Sequence, residues 1–368
     1  MANKEKFIPA IAIHPGKTLE EKLKEMGMSI KEFAVRTSKP EKTVFAVING
    51  KSSITSDMAI AFESVTKIPA RFWLNKQRHY DEYVARDKQK KNLAEEAEWA
   101  KSFPLSQMQK LGWIPKVKTD GEKVTAMHSF FQVSSRTGWG AYYLNRQLKV
   151  AFRISLSSTK DPYAVSAWLR EGEIQASALN VDKYSEAELK KSLPRMKELS
   201  MEQPDDFSDK LQQICMRCGI KLIFTPCILH APINGSTRWI GDNPCIQMSD
   251  RFKRNDIFWF SFFHEVGHIL LHGKKDIFLE SIDYDDKQLA KEEEANEFAS
   301  KLLLSPKEED EIIKNGDFSK KSICFYADKF KTHPAVILGR LQHEKRIAYN
   351  KFQDLIVKID FTDSTSLQ

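Results

Sequence analysis

The sequence predicts a mostly α-helical protein with a small α+β unit in its C-terminal half and a five-helix bundle at its N-terminus. Three observations carry this. Short amphipathic segments divided by turn signals fill the first 85 residues. Short β-prone runs lie between residues 219 and 248, and a strongly apolar helix follows from about Ile257 to Leu271. A chain of 368 residues has room for two or three domains at ~100–200 residues each. Its 41% hydrophobic and 29% charged content is that of a globular protein.

In the N-terminal quarter, Lys17–Met26, Ser29–Thr37, Glu41–Asn49, Ser56–Thr66 and Ala70–Tyr83 read as helices. Gly27, Ser38-Lys39-Pro40, Gly50 and Ile68-Pro69 divide them. This is the first domain, 1–85. Residues 84–100 are charge-rich with few core positions, the profile of a linker helix. A bridging or sensing region, 86–204, therefore follows, with a helix around Asp161–Leu169 and a charged helical run punctuated by Pro194. The third domain is 205–368. Gly219–Pro226, Thr237–Ile240 and Cys245–Met248 read as its strands, and Lys287–Leu304 and Ser319–His343 as its closing helices.

Several function classes are excluded. The longest apolar stretch, Ile257 to Phe263, is broken by Ser261 and ends at His264, far short of the ~20 residues that cross a bilayer. Residues 1–16 hold no apolar run of signal-peptide length, so a soluble cytoplasmic protein without a membrane partner is expected. Five cysteines, with only Cys215 and Cys218 closely spaced, argue against both a disulfide framework and a four-cysteine zinc site. Residues 1–90 carry 17 Lys and Arg against 11 Asp and Glu, so six of the seven net positive charges lie there. That concentration points to a polyanionic partner for the N-terminal domain.

Ser29 is suited to cap a helix whose Ile30, Phe33 and Ala34 face inward, and Thr37–Pro40 turns into a second helix ending at Asn49-Gly50. This is the length and spacing of a helix-turn-helix. Val44, Val47 and Ile48 would lock the second helix onto the bundle, leaving Lys39, Lys42, Thr43 and Lys51 as candidates for phosphate or base contact. Phe45 and Ala46 stand at exposed positions where polar base-readers are expected, and could touch a thymine methyl.

The run Phe263-His264-Glu265-Val266-Gly267-His268 carries a second constellation. Two histidines four apart project from one helix face and can hold one Zn²⁺ at ~2.0–2.1 Å, with Glu265 placed beside them as a general base. Two ionisable rings and a carboxylate on so apolar a helix need a partner that a metal provides. The third ligand would come from the acidic helix 291–304. Its apolar stripe is Ala295, Phe298, Ala299 and Leu302; Glu293 and Glu297 point away, and Glu292 and Glu294 lie at its edges. Periodicity leaves both open. His272 is four residues past His268, where a three-histidine helix needs its third ligand six residues on, so a supporting role is expected. His230, Arg238 and Tyr326 are candidates for stabilising an oxyanion.

Residues 10–85, with Ile13-His14-Pro15-Gly16, Asn49-Gly50-Lys51-Ser52-Ser53-Ile54-Thr55 and Trp73-Leu74, resemble the HigA-type antitoxin branch of the Xre helix-turn-helix family. That resemblance implies a homodimeric repressor reading a palindromic double-stranded operator. Residues 205–345, with Trp259 through His272, Glu294-Ala295-Asn296-Glu297-Phe298-Ala299, Leu302 through Pro306, and Phe325 through Leu341, resemble the ImmA/IrrE metallopeptidases. This second resemblance implies a zinc enzyme with His264, His268 and Glu294 as ligands and Glu265 as catalytic residue. The function expected is a DNA-binding regulator whose zinc endopeptidase domain hydrolyses a regulatory protein or the chain itself. The alternative is a catalytically silent antitoxin-type repressor whose C-terminal domain senses a ligand or binds a toxin.

Overall fold

The computed structural model describes residues 13–147, 161–272, 278–279 and 286–361. Residues 1–12, read above for a leader, lie outside that set. The chain divides into two compact units, Met1–Glu95 and Glu96–Gln368. No helix among the described residues is long and apolar enough to cross a membrane.

The first unit is a five-helix bundle: α1 (Pro15–Glu25), α2 (Ile30–Arg36), α3 (Glu41–Ile48), α4 (Ser56–Thr66) and α5 (Ala70–Glu95). Its starts are set by side chains that satisfy otherwise unpaired amides: Ser29 accepts from Glu32 N at 3.1 Å and Thr55 from Met58 N at 3.3 Å. Leu19, Phe33, Val44, Val47, Phe62 and Trp73 are fully buried and form the core, with Phe62 edge-on to Trp73 at 6.0 Å. The boundary expected at residue 85 falls inside α5. Charged sequence with good helix formers continues that helix without a break, so the units part ten residues later.

In the second unit, α6 (Ala97–Lys101), α7 (Leu105–Lys110), α8 (Asp120–Phe131) and α9 (Arg136–Trp139) surround an aromatic cluster. Within it Trp139 stacks on Tyr163 at 5.2 Å. Then come α10 (Pro162–Ala178), α11 (Glu186–Glu202) and α12 (Phe207–Arg217), followed by β1 (Lys221–Phe224), β2 (Gly235–Ile240), β3 (Asn243–Met248), α13 (Asn255–Leu271) and β4 (Phe278–Leu279). The chain closes with α14 (Asp286–Leu303), α15 (Pro306–Asn315), α16 (Lys320–Phe330) and α17 (Pro334–His343).

The sheet order is β1-β3-β2-β4, with β1 parallel to β3 and the other neighbours antiparallel. A buried polar network joins α10 to it. Arg238 donates to Leu169 O at 2.8 Å, and Gln247 donates to Trp168 O at 2.7 Å and to Thr225 Oγ1 at 3.0 Å. Residues 96–204 fall within the second unit.

Two expected breaks differ. Pro194 lies inside α11 on its exposed side. The single helix expected over Ser319–His343 is two, because Lys331 turns left-handed at φ 53° and His333-Pro334 starts a new helix, with His333 Nδ1 accepting from Ala335 N at 3.1 Å.

Candidate metal centre and nucleic-acid interface

Helix α13 is buried on nearly every side: Trp259, Phe262, Phe263 and Val266 are fully enclosed, and so are His264, Glu265 and His268 to within 1%. At Gly267 a side chain would meet Phe298 at 3.2 Å and the Ala295 backbone at 3.3 Å, so glycine and alanine let α13 and α14 cross closely. The crossing brings a carboxylate onto the histidine face. Glu292 Oε2 is 3.1 Å from His264 Nε2, Glu292 Oε1 is 3.4 Å from His268 Nε2, and the two Nε2 atoms are 2.9 Å apart. His264, His268 and Glu292 are the metal-capable cluster among the described residues.

Its donor set fits zinc. A tetrahedral ion with ligands at ~2.0–2.1 Å holds its donor atoms ~3.3 Å apart, which the three observed separations bracket. His264 Nδ1 lies 2.9 Å from Asn296 Oδ1. An acceptor there fixes the ring proton on Nδ1 and leaves the Nε2 lone pair facing Glu292. Burial drives His268 down to about 4, so its ring is neutral at physiological pH. Burial raises Glu292, the two imidazoles beside it lower it by more, and the carboxyl lies below its ordinary range, ionised. Neutral imidazoles and an ionised carboxylate are the forms that bind a cation.

Glu294, expected as third ligand, is not in this cluster. On α14 it is two residues, ~200° of helical rotation, from Glu292. Its side chain is 62% exposed and reaches His272 Nε2 at 3.1 Å. Glu292 and Asn296, one turn apart, take the inward edge instead. His272 sits behind the metal-facing ring, its Nδ1 2.9 Å from His268 Nδ1.

Glu265 faces β2. A Cβ at Gly235 would stand 2.7 Å from Glu265 Oε1, so only glycine leaves room for the carboxylate, and Thr237 Oγ1 donates to the Glu265 carbonyl at 3.2 Å. Sequence reasoning missed Gly235, which lies two residues before the strand expected at Thr237–Ile240 and opens the observed β2. Arg238 is committed to Leu169 and Gln247, Tyr326 stacks on Phe330, and His230 is exposed. Phe260 and Asn296, which flank His264, also line a groove of about 720 Å³ with Ile257, Leu303 and Val336.

In the first unit, α2, the Thr37–Pro40 turn and α3 form the expected helix-turn-helix. Lys42 and Lys51 are exposed, Thr43 is half-buried, and Phe45 is 58% exposed. Lys39 departs from expectation: it pairs with Asp57 at the start of α4, and its side chain is only 18% exposed. The pairing ties the turn to the start of α4. His14 proves structural as well, its Nδ1 accepting from Gly16 N at 3.0 Å to start α1. A side chain at Gly16 would strike the Val47 carbonyl.

The fold and the two sites define a protein that joins a helix-turn-helix bundle to a unit built around a His-Glu-x-x-His helix. Residues 19–73 match the helix-turn-helix family model, and residues 215–341 match the IrrE N-terminal-like domain of the M78 peptidase family. The chain thus carries an Xre-type DNA-binding domain followed by an IrrE-like domain. It is similar over its N-terminal part to solved antitoxins. One is an addiction module antidote protein of a HigA family from Coxiella burnetii, at 36% identity over 23% of this chain and 94% of that one, TM-score 0.22. Another is a putative antidote protein of a plasmid maintenance system from Nostoc punctiforme, at 31% over 23% and 91%, TM-score 0.22. A third is the Pseudomonas aeruginosa antitoxin HigA with the higBA promoter, at 30% over 23% and 95%, TM-score 0.22. No curated protein matches the chain.

Proposed function

We propose that this protein is a DNA-binding regulator, of repressor or antitoxin type, whose second unit is a zinc-dependent endopeptidase acting on a regulatory protein or on the chain itself. The observation that carries the proposal is the convergence of His264, His268 and Glu292, with Glu265 on the same buried helix turn. We assign the zinc-ligand role to those three residues. A bound zinc ion would polarise the scissile carbonyl and make water nucleophilic near neutral pH. Glu265 takes the proton of the attacking water on its carboxylate and delivers it to the departing amine. Gly235 keeps that carboxylate seated, and Asn296 keeps the His264 ring turned.

Operator binding rests on the helix-turn-helix match and on the exposed Lys42 and Lys51, with Thr43 at the same helix start. A cytoplasmic homodimer reading a palindrome follows from that reading. The test compares wild type with Glu265→Gln for metal content, operator occupancy and cleavage of proteins encoded beside it. Cleavage by wild type alone, with equal zinc in both, supports the peptidase. Identical regulation by both, with no cleavage, leaves the silent repressor that senses a ligand or holds a toxin.

A further inference from the structure

Glu294 and His272 together carry an inference about the metal-binding ring behind which they stand; it rests on the zinc reading above. His272 is nearly enclosed, at 3% side-chain exposure, and bridges two groups: His268 Nδ1 at 2.9 Å and Glu294 Oε2 at 3.1 Å. The proton positions along this chain are forced from its outer end. An ionised carboxylate only accepts, so His272 Nε2 must carry its hydrogen toward Glu294. A neutral imidazole has one N–H, so His272 Nδ1 is then an acceptor. His268 Nδ1 must therefore donate to it, which leaves the lone pair of His268 on Nε2, the atom that faces Glu292 and His264.

The geometry points to Glu294 and His272 as positioning residues that select the metal-binding tautomer of His268 from outside the coordination sphere. His264 is fixed in one step by a side-chain amide, Asn296; His268 is fixed in two, through a second imidazole ending on an exposed carboxylate. Without Glu294, His272 can place its proton on Nδ1, and His268 then carries hydrogen on the nitrogen the metal requires.

The experiment uses the full chain and zinc itself, with affinity measured against a chromophoric chelator, and cobalt substitution as a spectroscopic report of the donor set. Glu294→Ala and His272→Ala should each weaken zinc by about 10–100-fold, the usual cost of losing an outer-shell partner. The double variant should be no weaker than either single one, because both cut the same chain. Glu294→Gln should recover much of the loss, since its amide oxygen accepts the same bond. The cobalt spectrum of Glu294→Ala should keep the wild-type band pattern. Unchanged affinity in Glu294→Ala, or additive losses in the double variant, overturns the inference. So does loss of stoichiometric zinc in Glu294→Ala as complete as in Glu292→Ala, which would make Glu294 a ligand. Wild type that takes up no zinc fails the metal reading itself, a result distinct from all of these.

Discussion

Gly235 is where a single methyl group tests the chemistry. Its missing side chain is the space that Glu265 Oε1 occupies, so Gly235→Ala should displace the carboxylate and cost about 10²–10⁴ in hydrolysis, the range of a lost general base. Zinc content by elemental analysis should stay at the wild-type level; a variant that cleaves normally would show that Glu265 does not work from this position. Asn296→Ala should weaken zinc about 10–100-fold by freeing the His264 ring. The two histidines and Glu265 were legible in the sequence because a four-residue spacing is a property of one helix. The carboxylate that joins the two histidines was not, because which of Glu292 and Glu294 turns toward them depends on how α14 is rotated against α13. That rotation is set by a contact among Gly267, Ala295 and Phe298 which no periodicity reveals.

Helix starts and turns decide what the N-terminal unit offers to a partner. Lys42 and Lys51 are exposed at either end of α3, while Lys39 is held by Asp57. Replacing Lys42 or Lys51 by Ala should therefore lower the salt slope of DNA binding by about 1 each, whereas Lys39→Ala should leave the slope unchanged; titrations at several salt concentrations separate the cases. At α1, burial holds His14 below its ordinary value while its neutral Nδ1 caps the helix. The unfolded chain takes up the proton first, so stability is full above about pH 6.5 and is lost as the pH falls below it. His14→Asn, which keeps a capping acceptor that does not titrate there, should flatten this acid-side loss in denaturant melts. The five helices themselves were readable from turn residues and apolar spacing. The Lys39 pairing was not, since Asp57 is eighteen residues away, beyond α3 and the loop after it.

The division at Glu95 predicts that residues 1–95 fold alone with a cooperative transition. Phe62→Ala, which empties the centre of their core, should cost about 3–5 kcal/mol there. Zinc uptake by the second unit should not change, and a loss of zinc in this variant would show the units to be one. At this scale the sequence was least legible between 86 and 204. The charged end of α5 reads as a separate linker helix although it continues α5, and α10 reads as an isolated helix although Arg238 and Gln247 tie it to the sheet through buried polar bonds from distant positions. Three of the four strands were read and β4 was not, while α13 was plain from its apolarity alone. The enclosure of α13 has an evolutionary corollary. A descendant without the proposed hydrolysis could not simply shed or fray α13, for the buried side chains of that helix fill the interior around it. Retired copies should instead keep the spine and exchange imidazole for side chains of matching bulk, so that their silence would be written in substitutions and never in gaps.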